Sequence, residues 1–351
     1  MALAALAAYM DRATDEHVED ARRAKLLLQA EIDRRGTEAT VLYLLATNVV
    51  NHRALVHSRE QLFTDPDVPP EEGFGDGEIG LAGEPYAGLG GVVFSVQDEA
   101  GLVPVNSPGL GALPILLEYL GAEPDAVARL MPRLVDYVDR NQDLTLDGAE
   151  RFDYQRAGRA APANWFLQSP MELAHVLGAD GLLPPSQWRR VRELATPRLV
   201  PGINFTTMPE ELAVALLGVK PEALGPLLEA RRERSVVSPD QIRELTGRAP
   251  PVVRDEILGF PLPMLRVSTW WPEGGSRVVR GVTLTPSAED FPWRTEYRYS
   301  EPPAIAARTP QRTGSTLFGE RPQGDADAGE GAEAGVGAEV GVGAAENTNA
   351  G

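Results

Sequence analysis

Gly91-Val-Val-Phe-Ser-Val-Gln97 alternates in the manner of a strand, and so decides how the rest of the chain is read. The same character returns far downstream. Leu265-Arg-Val-Ser-Thr-Trp-Trp271 and Arg277-Val-Val-Arg-Gly-Val-Thr-Leu284 are β-rich and are joined through Pro272-Glu-Gly-Gly275. Trp293-Arg-Thr-Glu-Tyr-Arg-Tyr299 is a third candidate, and the three make a hairpin or a meander. Asp98-Glu-Ala-Gly101 reads as a turn. It leads to a short strand at Leu102–Asn106, confined to a sheet edge by Pro104. These two segments suggest a hairpin of their own.

Between the two strand regions the chain carries short helices, over 111–120, 124–138, 170–177, 185–194, 208–217, 221–232 and 238–246. Their starts are marked by Ser169-Pro170, Pro184-Pro-Ser186, Thr207-Met-Pro209 and Ser238-Pro239-Asp240. Proline suits the first helical turn, and carboxylates suit the positive end of the helix dipole. Gly121, Gly178, Gly218 and Gly247 are the stops. A sheet whose strands come from both sides of an α insertion follows.

Upstream, Val18, Ala21, Ala24, Leu28 and Ile32 recur as one helical stripe, and Leu42, Leu45 and Val49 resume it after Gly36-Thr37. This predicts a long helix, or two stacked helices, over residues 1–62, with His52 and His57 solvated. Met1–Met10 is apolar throughout. It reads either as an Ala-rich helix start or as the end of a longer apolar helix. Residues 63–107 hold an acidic loop and the first strands. The loop, 64–84, has seven acidic residues, no basic one, three prolines and five glycines, and is read as mobile or ordered by a cation. Residues 108–262 form the α domain, divided into 108–200 and 201–262. Residues 263–300 supply the later strands. Residues 301–351 are a disordered acidic tail, rich in Gly and Ala.

The 351 residues include 33 basic and 51 acidic ones, for a net charge of −18. That disfavours nucleic-acid backbones and anionic membrane surfaces. There is no cysteine, which excludes disulfides, thiolate metal sites and cysteine nucleophiles. No run of 18 apolar residues occurs. No nucleophile elbow or phosphate loop is present, and the only lysines are Lys25 and Lys220. Asp98 and Glu99 are read as solvated or capping carboxylates, and His175 as a helix histidine without a catalytic role. The chain is not read as an enzyme.

The sharpest local signal is Asp139-Arg-Asn141-Gln-Asp143-Leu-Thr145-Leu-Asp147-Gly-Ala-Glu150. Counted from Asp139, oxygen-bearing residues fall at positions 1, 3, 5, 7, 9 and 12, the spacing by which a loop wraps calcium. Asp139, Asn141, Asp143, Thr145, Asp147 and Glu150 are the candidate ligands. Thr145 would act through its carbonyl and Glu150 as a bidentate group. Leu144 stands where such loops place glycine, so the backbone is expected to take another path. Asp136 and Asp153 enlarge the acidic cluster, with Arg140 and Arg151 to offset it. Calcium is the cofactor this spacing implies.

A second constellation runs from Ile203-Asn-Phe-Thr-Thr207 through Gly218-Val-Lys220 to Ala230-Arg-Arg232, in the manner of a helix-hairpin-helix. The second glycine of the phosphate-binding turn is missing. A structural helical module is the reading. Arg231, Arg232, Arg234, Arg243 and Arg248 keep open the alternative of a soluble helix-hairpin-helix or calcium-binding interaction module.

Three stretches in order carry a resemblance. They are Phe94–Asn106; Leu134–Asp139 leading to Asp147–Glu150 and Ser169–Leu173; and Ile203–Thr207 with its helical hairpin. The series resembles the type II secretion minor pseudopilin, general secretion pathway protein K. The resemblance implies an α+β fold: a long N-terminal helix packed on a small antiparallel sheet, with a large inserted all-α domain of two SAM-like modules. It implies a non-catalytic subunit at the tip of the secretion pseudopilus, which starts assembly with the minor pseudopilins I and J and meets exported substrates. It also implies calcium in the α domain, and an inner-membrane anchor that holds a periplasmic globular part. The family's basic leader and long apolar helix have no counterpart in this sequence beyond Ala2–Met10.

Overall fold

The structure, a computed structural model, describes residues 2–56, 79–272, 274–302, 309–313 and 315–318. Helix α1, Ala2–Thr47, runs through Gly36 without a break. From Asp33 onward its buried residues recur at 33–34, 37–38, 41–42 and 44–45, one stripe at helical spacing. Val41, Leu42, Leu44 and Leu45 are its apolar part. Upstream the stripe expected at Val18–Ile32 finds no cover: residues 14–29 are all exposed, Leu26, Leu27 and Leu28 among them. Apolar spacing marks a face able to bury itself, and only the second half of this helix meets a surface.

The helix stops well short of residue 62. Thr47 bonds the Tyr43 carbonyl through its hydroxyl at 2.8 Å. Strands β1 (Val49–Val50) and β2 (Ala54–Val56) follow. Asn51 makes the turn, its side-chain oxygen accepting the N–H groups of Arg53 and Ala54 at 2.9 and 2.8 Å. β2 then pairs with β3, Ile79–Gly80. His52 is buried and not solvated, its Nε2 3.3 Å from the Arg231 carbonyl oxygen. His57 and residues 64–78 of the acidic loop lie outside the described residues.

The main sheet is antiparallel. Its members are β4 (Tyr86–Ala87), β5 (Val93–Asp98), β8 (Met264–Trp270), β9 (Arg277–Leu284) and β10 (Trp293–Glu301), in the spatial order β10-β9-β8-β5-β4. The meander read at 265–299 is present. β5 lies against β8, with Ser95 opposite Ser268, so everything between them is inserted into one sheet. On the α1 face Phe94, Val96, Leu265, Val267 and Val282 pack with Leu42 and Leu45. Truncating one such leucine to alanine costs about 2–5 kcal/mol.

The opposite face is polar. It carries Gln97, Arg266 and Ser268, all buried. The Arg266 guanidinium donates to the carbonyls of Arg192, Glu193 and Ala195 at 3.2, 3.1 and 2.8 Å. It thus caps the C-terminus of the helix Pro185–Leu194, where a cation also meets the negative end of the dipole.

The expected hairpin over 91–106 does not form. Asp98–Gly101 turns the chain into the α domain, and β6 (Val103–Pro104) pairs in parallel with β7 (Ala195–Thr196) instead. Within the α domain, Pro124–Val138 and Pro185–Leu194 match the sequence reading residue for residue, and Pro239–Thr246 starts on a Ser238 cap. The segment 170–175 is a 3-10 helix, and Arg151–Arg156 is a further short helix. One apolar core runs from Val103 to Ile257, so the division at residue 200 does not separate two cores. Not all of 301–351 is a tail. Gln311 pairs beside β4, and Phe318 stacks on Phe94 at 5.0 Å. Residues 319–351 lie outside the described set.

Candidate metal centre

Pro124–Val138 ends with Asp139 as its C-terminal cap, and Asp136 sits one turn earlier on the same helix. Three residues along a helix bring two side chains to one face. Asp136 is completely buried, with both carboxylate oxygens 3.3 Å from the Thr145 N–H. Glu150 is the cap of the following helix, Arg151–Arg156, and is also buried. Its backbone N–H donates to Asp153 at 3.1 Å, and neither of its own carboxylate oxygens has a hydrogen-bond partner among the described residues. Oxygens of Asp136, Asp139 and Glu150 all come within 4.8 Å of one another.

That grouping is electrostatically costly by itself. Burial pushes Glu150 above the usual carboxylate range, and the negative charges of Asp136, Asp139 and Asp143 push it further. A hard cation would remove both penalties, and a set made only of oxygens suits calcium.

The other sequence candidates lie differently. Asn141, Asp143 and Asp147 are exposed. Asn141 bonds Asp139 through Nδ2 at 3.0 Å, and its Oδ1 accepts the Asp143 N–H at 2.5 Å. Thr145 is half-buried and holds Asp136 through its backbone N–H. The left-handed residue of the loop is Asp147, with φ 61°, and not Leu144. A Cβ at the next position, Gly148, would collide with the Asp136 carboxylate. The loop thus brings Asp139 and Glu150 together with Asp136, which the 12-residue spacing does not count. The signal for Asp136 was its helical distance from Asp139.

A second polar centre lies where the α domain leaves the sheet. Asp98 is fully buried. Its Oδ1 accepts the N–H groups of Ala100 at 3.0 Å and Leu262 at 3.4 Å. Its Oδ2 accepts from Asn204 at 3.0 Å and the Thr207 hydroxyl at 2.7 Å. Burial raises its pKa to about 6, against the pull of these four donors. One carboxylate therefore holds the outgoing strand, the returning strand and the Asn204–Thr207 segment. Neighbouring Glu99 is buried between Thr196 (2.7 Å), the Tyr297 hydroxyl and Arg266 (3.5 Å). Neither carboxylate is solvated; Asp98 does act as a cap, of the Glu99–Gly101 turn, through the Ala100 N–H. Asn204 and Thr207, read as the entry to a helix-hairpin-helix, are turned inward to this junction. Arg231 donates to the Met208 carbonyl at 2.7 Å, and Arg243 pairs with Asp240 at 2.6 Å.

No family model matches the chain, and no curated protein matches it. Among solved structures, similarity is found to a chain of the crystal structure of the GspK-GspI-GspJ complex from the enterotoxigenic Escherichia coli Type 2 Secretion System. It covers 80% of this chain and 99% of that one, at 14% identity and a TM-score of 0.48. A likeness of that grade establishes no family.

Proposed function

We propose that this chain is a non-catalytic minor pseudopilin, a tip subunit that starts assembly of a type II secretion pseudopilus. What supports the reading is the series of sequence stretches quoted above together with one feature of the fold. Helix α1 buries one stripe of residues 33–45 and leaves residues 14–29 exposed on every side. A helix half embedded and half projecting is built to pack against other helices. The partners proposed are minor pseudopilins of the I and J types, and exported substrates. No nucleic acid is involved. The globular part is proposed to sit in the periplasm, held at the inner membrane. No described helix is long and apolar enough to cross a membrane. Calcium is proposed as the ion held by Asp136, Asp139 and Glu150, where it would order the loop at the end of the Pro124–Val138 helix.

The test is sedimentation of the full chain with separately purified globular parts of I-type and J-type pseudopilins from the same cells. A stable complex at about 50 μM is the expected outcome for an interface of ordinary strength. No complex at that concentration defeats the tip reading. If calcium then still stabilises the chain, the alternative of a soluble calcium-binding interaction module is favoured.

A further inference from the structure

The two edges of the main sheet are treated differently. The β4 edge is closed by the chain itself: Ala87 N–H donates to the Gln311 carbonyl at 2.8 Å, and Gln311 N–H to that of Pro85 at 2.9 Å. The β10 edge is nine residues long, with a shift of register against β9 between Thr295 and Tyr297, and is bonded to β9 on one side. Among the described residues no backbone pairs with its other side. A long edge of unpaired N–H and C=O groups is a template for a further strand.

Two cavities lie along this edge on the α-domain side, and Tyr297 lines both. One, of about 260 Å³, is lined by Met171, Arg192, Arg266, Tyr297, Arg298 and Tyr299 among others, and by no carboxylate. Arg192 lies over the Tyr299 ring at 5.2 Å, pairs with Glu301 at 2.7 Å, and keeps a buried Nε with no hydrogen-bond partner. The Arg266 charge is fixed in place by its backbone acceptors. The other cavity, of about 250 Å³, is lined by Trp165, Phe166, Leu199 and Met264 together with Gln168 and the Arg198–Glu296 pair. Side chains two residues apart on an added strand point the same way, about 7 Å apart. They would reach these cavities in turn.

We propose that the β10 edge is a strand-addition site for an extended, acidic segment of a partner protein. The segment carries carboxylates on the side of the added strand that faces the α domain, one of them for the Arg192 cavity. Backbone pairing supplies most of the affinity in this mode, and the cavities supply the choice of sequence. Charge complementarity selects this occupant: the first cavity presents Arg192, Arg266 and Arg298, and Arg294, paired with Glu296 at 3.1 Å, adds a fourth arginine on the strand. The proposal does not depend on the pseudopilin reading.

The probe is a fluorescein-labelled octapeptide of alternating glutamate and valine, titrated with the full chain by anisotropy. Controls are the lysine–valine peptide and two versions N-methylated on one or the other alternate set of amides. The acidic peptide is expected to bind in the range of about 10–100 μM, and the lysine peptide about tenfold more weakly or less. Methylation of one amide set should weaken binding about tenfold and of the other leave it unchanged, because only one set faces β10. Arg192→Gln, with an unchanged circular dichroism spectrum, should weaken it about fivefold. Absence of binding at about 1 mM overturns the proposal. So do equal binding of the lysine peptide, equal effects of the two methylation patterns, and indifference to Arg192→Gln.

Discussion

Arg280 on β9 reaches Glu38 on α1 across the helix–sheet interface, its Nε 2.5 Å from the Glu38 Oε1. Arg34 joins from the preceding turn at 3.2 Å, and Glu31 extends the chain of charges outward at 2.8 Å. Glu38 and Arg34 are both buried, so this is an ionic seam inside an otherwise apolar contact. Removing one partner of such a set leaves guanidinium charge without compensation. Glu38→Ala is therefore expected to lower stability by about 2–4 kcal/mol, less than for a fully dry pair because Arg280 keeps some solvent. Urea unfolding of the two proteins measures it. A loss below about 0.5 kcal/mol would mean the seam is a surface pair in disguise.

Asp98 gives a pH dependence of defined sign. Its folded-state pKa is raised to about 6, above the ordinary carboxylate value. A raised carboxyl favours folding when protonated, so its contribution is fullest below about pH 4 and is lost as pH rises through 6. The shift corresponds to about 3 kcal/mol as an upper bound. The Asp98→Asn protein should lose this slope between pH 4 and 6.5. It should also be less stable throughout, because an amide offers one oxygen to four donors. Urea midpoints at four pH values compare the two slopes. Parallel curves would show that Asp98 does not titrate in that window.

The candidate metal centre separates two descriptions of one loop. Calcium at a hundredfold excess over its dissociation constant adds about 2.7 kcal/mol to the folded state, read as a rise in Tm. The three-carboxylate geometry expects Asp136→Asn and Glu150→Gln to abolish that rise, and Asn141→Ala to leave most of it. The 12-residue spacing expects Asn141→Ala to remove it and Asp136→Asn to matter little. Without calcium the signs reverse. Glu150 has a raised pKa, so the metal-free protein gains from its protonation as pH falls and loses that gain as pH rises. Glu150→Gln should then be more stable than the parent in chelator at neutral pH. Differential scanning with and without calcium covers the parent and the three variants.

What was legible in the sequence follows the length scale of each interaction. Pro124–Val138 could be read because proline, an acidic first turn and apolar spacing all act within the segment. Gly91–Gln97 and the later strands could be read because alternation over seven residues is long enough to repeat. β1 to β4 have two or three residues each, too few to show a period. The burial of Asp98 was not legible, because Asn204 and Thr207 lie 106 and 109 residues away along the chain. A carboxylate in a turn reads as solvated until those partners are known. The same holds for Glu99 beside Arg266. At the candidate metal centre the spacing named Asp139 and Glu150, two of the three carboxylates that the structure brings together. It passed over Asp136, which belongs to the helix before the loop.

The projecting half of α1 carries the last prediction. Residues 14–29 expose Leu26, Leu27 and Leu28 in succession, which point to three different sides of a helix. Nothing tertiary holds that segment among the described residues, and helix propensity alone gives marginal stability over such a length. Its amides should exchange with deuterium within seconds in the isolated chain, whereas those of 37–45, packed on the sheet, should resist by orders of magnitude. Leu27→Asp should leave the urea midpoint within about 0.5 kcal/mol of the parent, because an exposed side chain has no burial to lose. The same substitution should weaken any complex in which α1 packs against partner helices, since it sets a charge into an apolar contact. Hydrogen exchange followed by mass spectrometry, on the chain alone and with the partner pseudopilins, reads both effects. Slow exchange over 14–29 in the isolated chain would mean that this half of the helix is covered by the chain's own residues. In that case it is not the packing surface that the assembly reading requires.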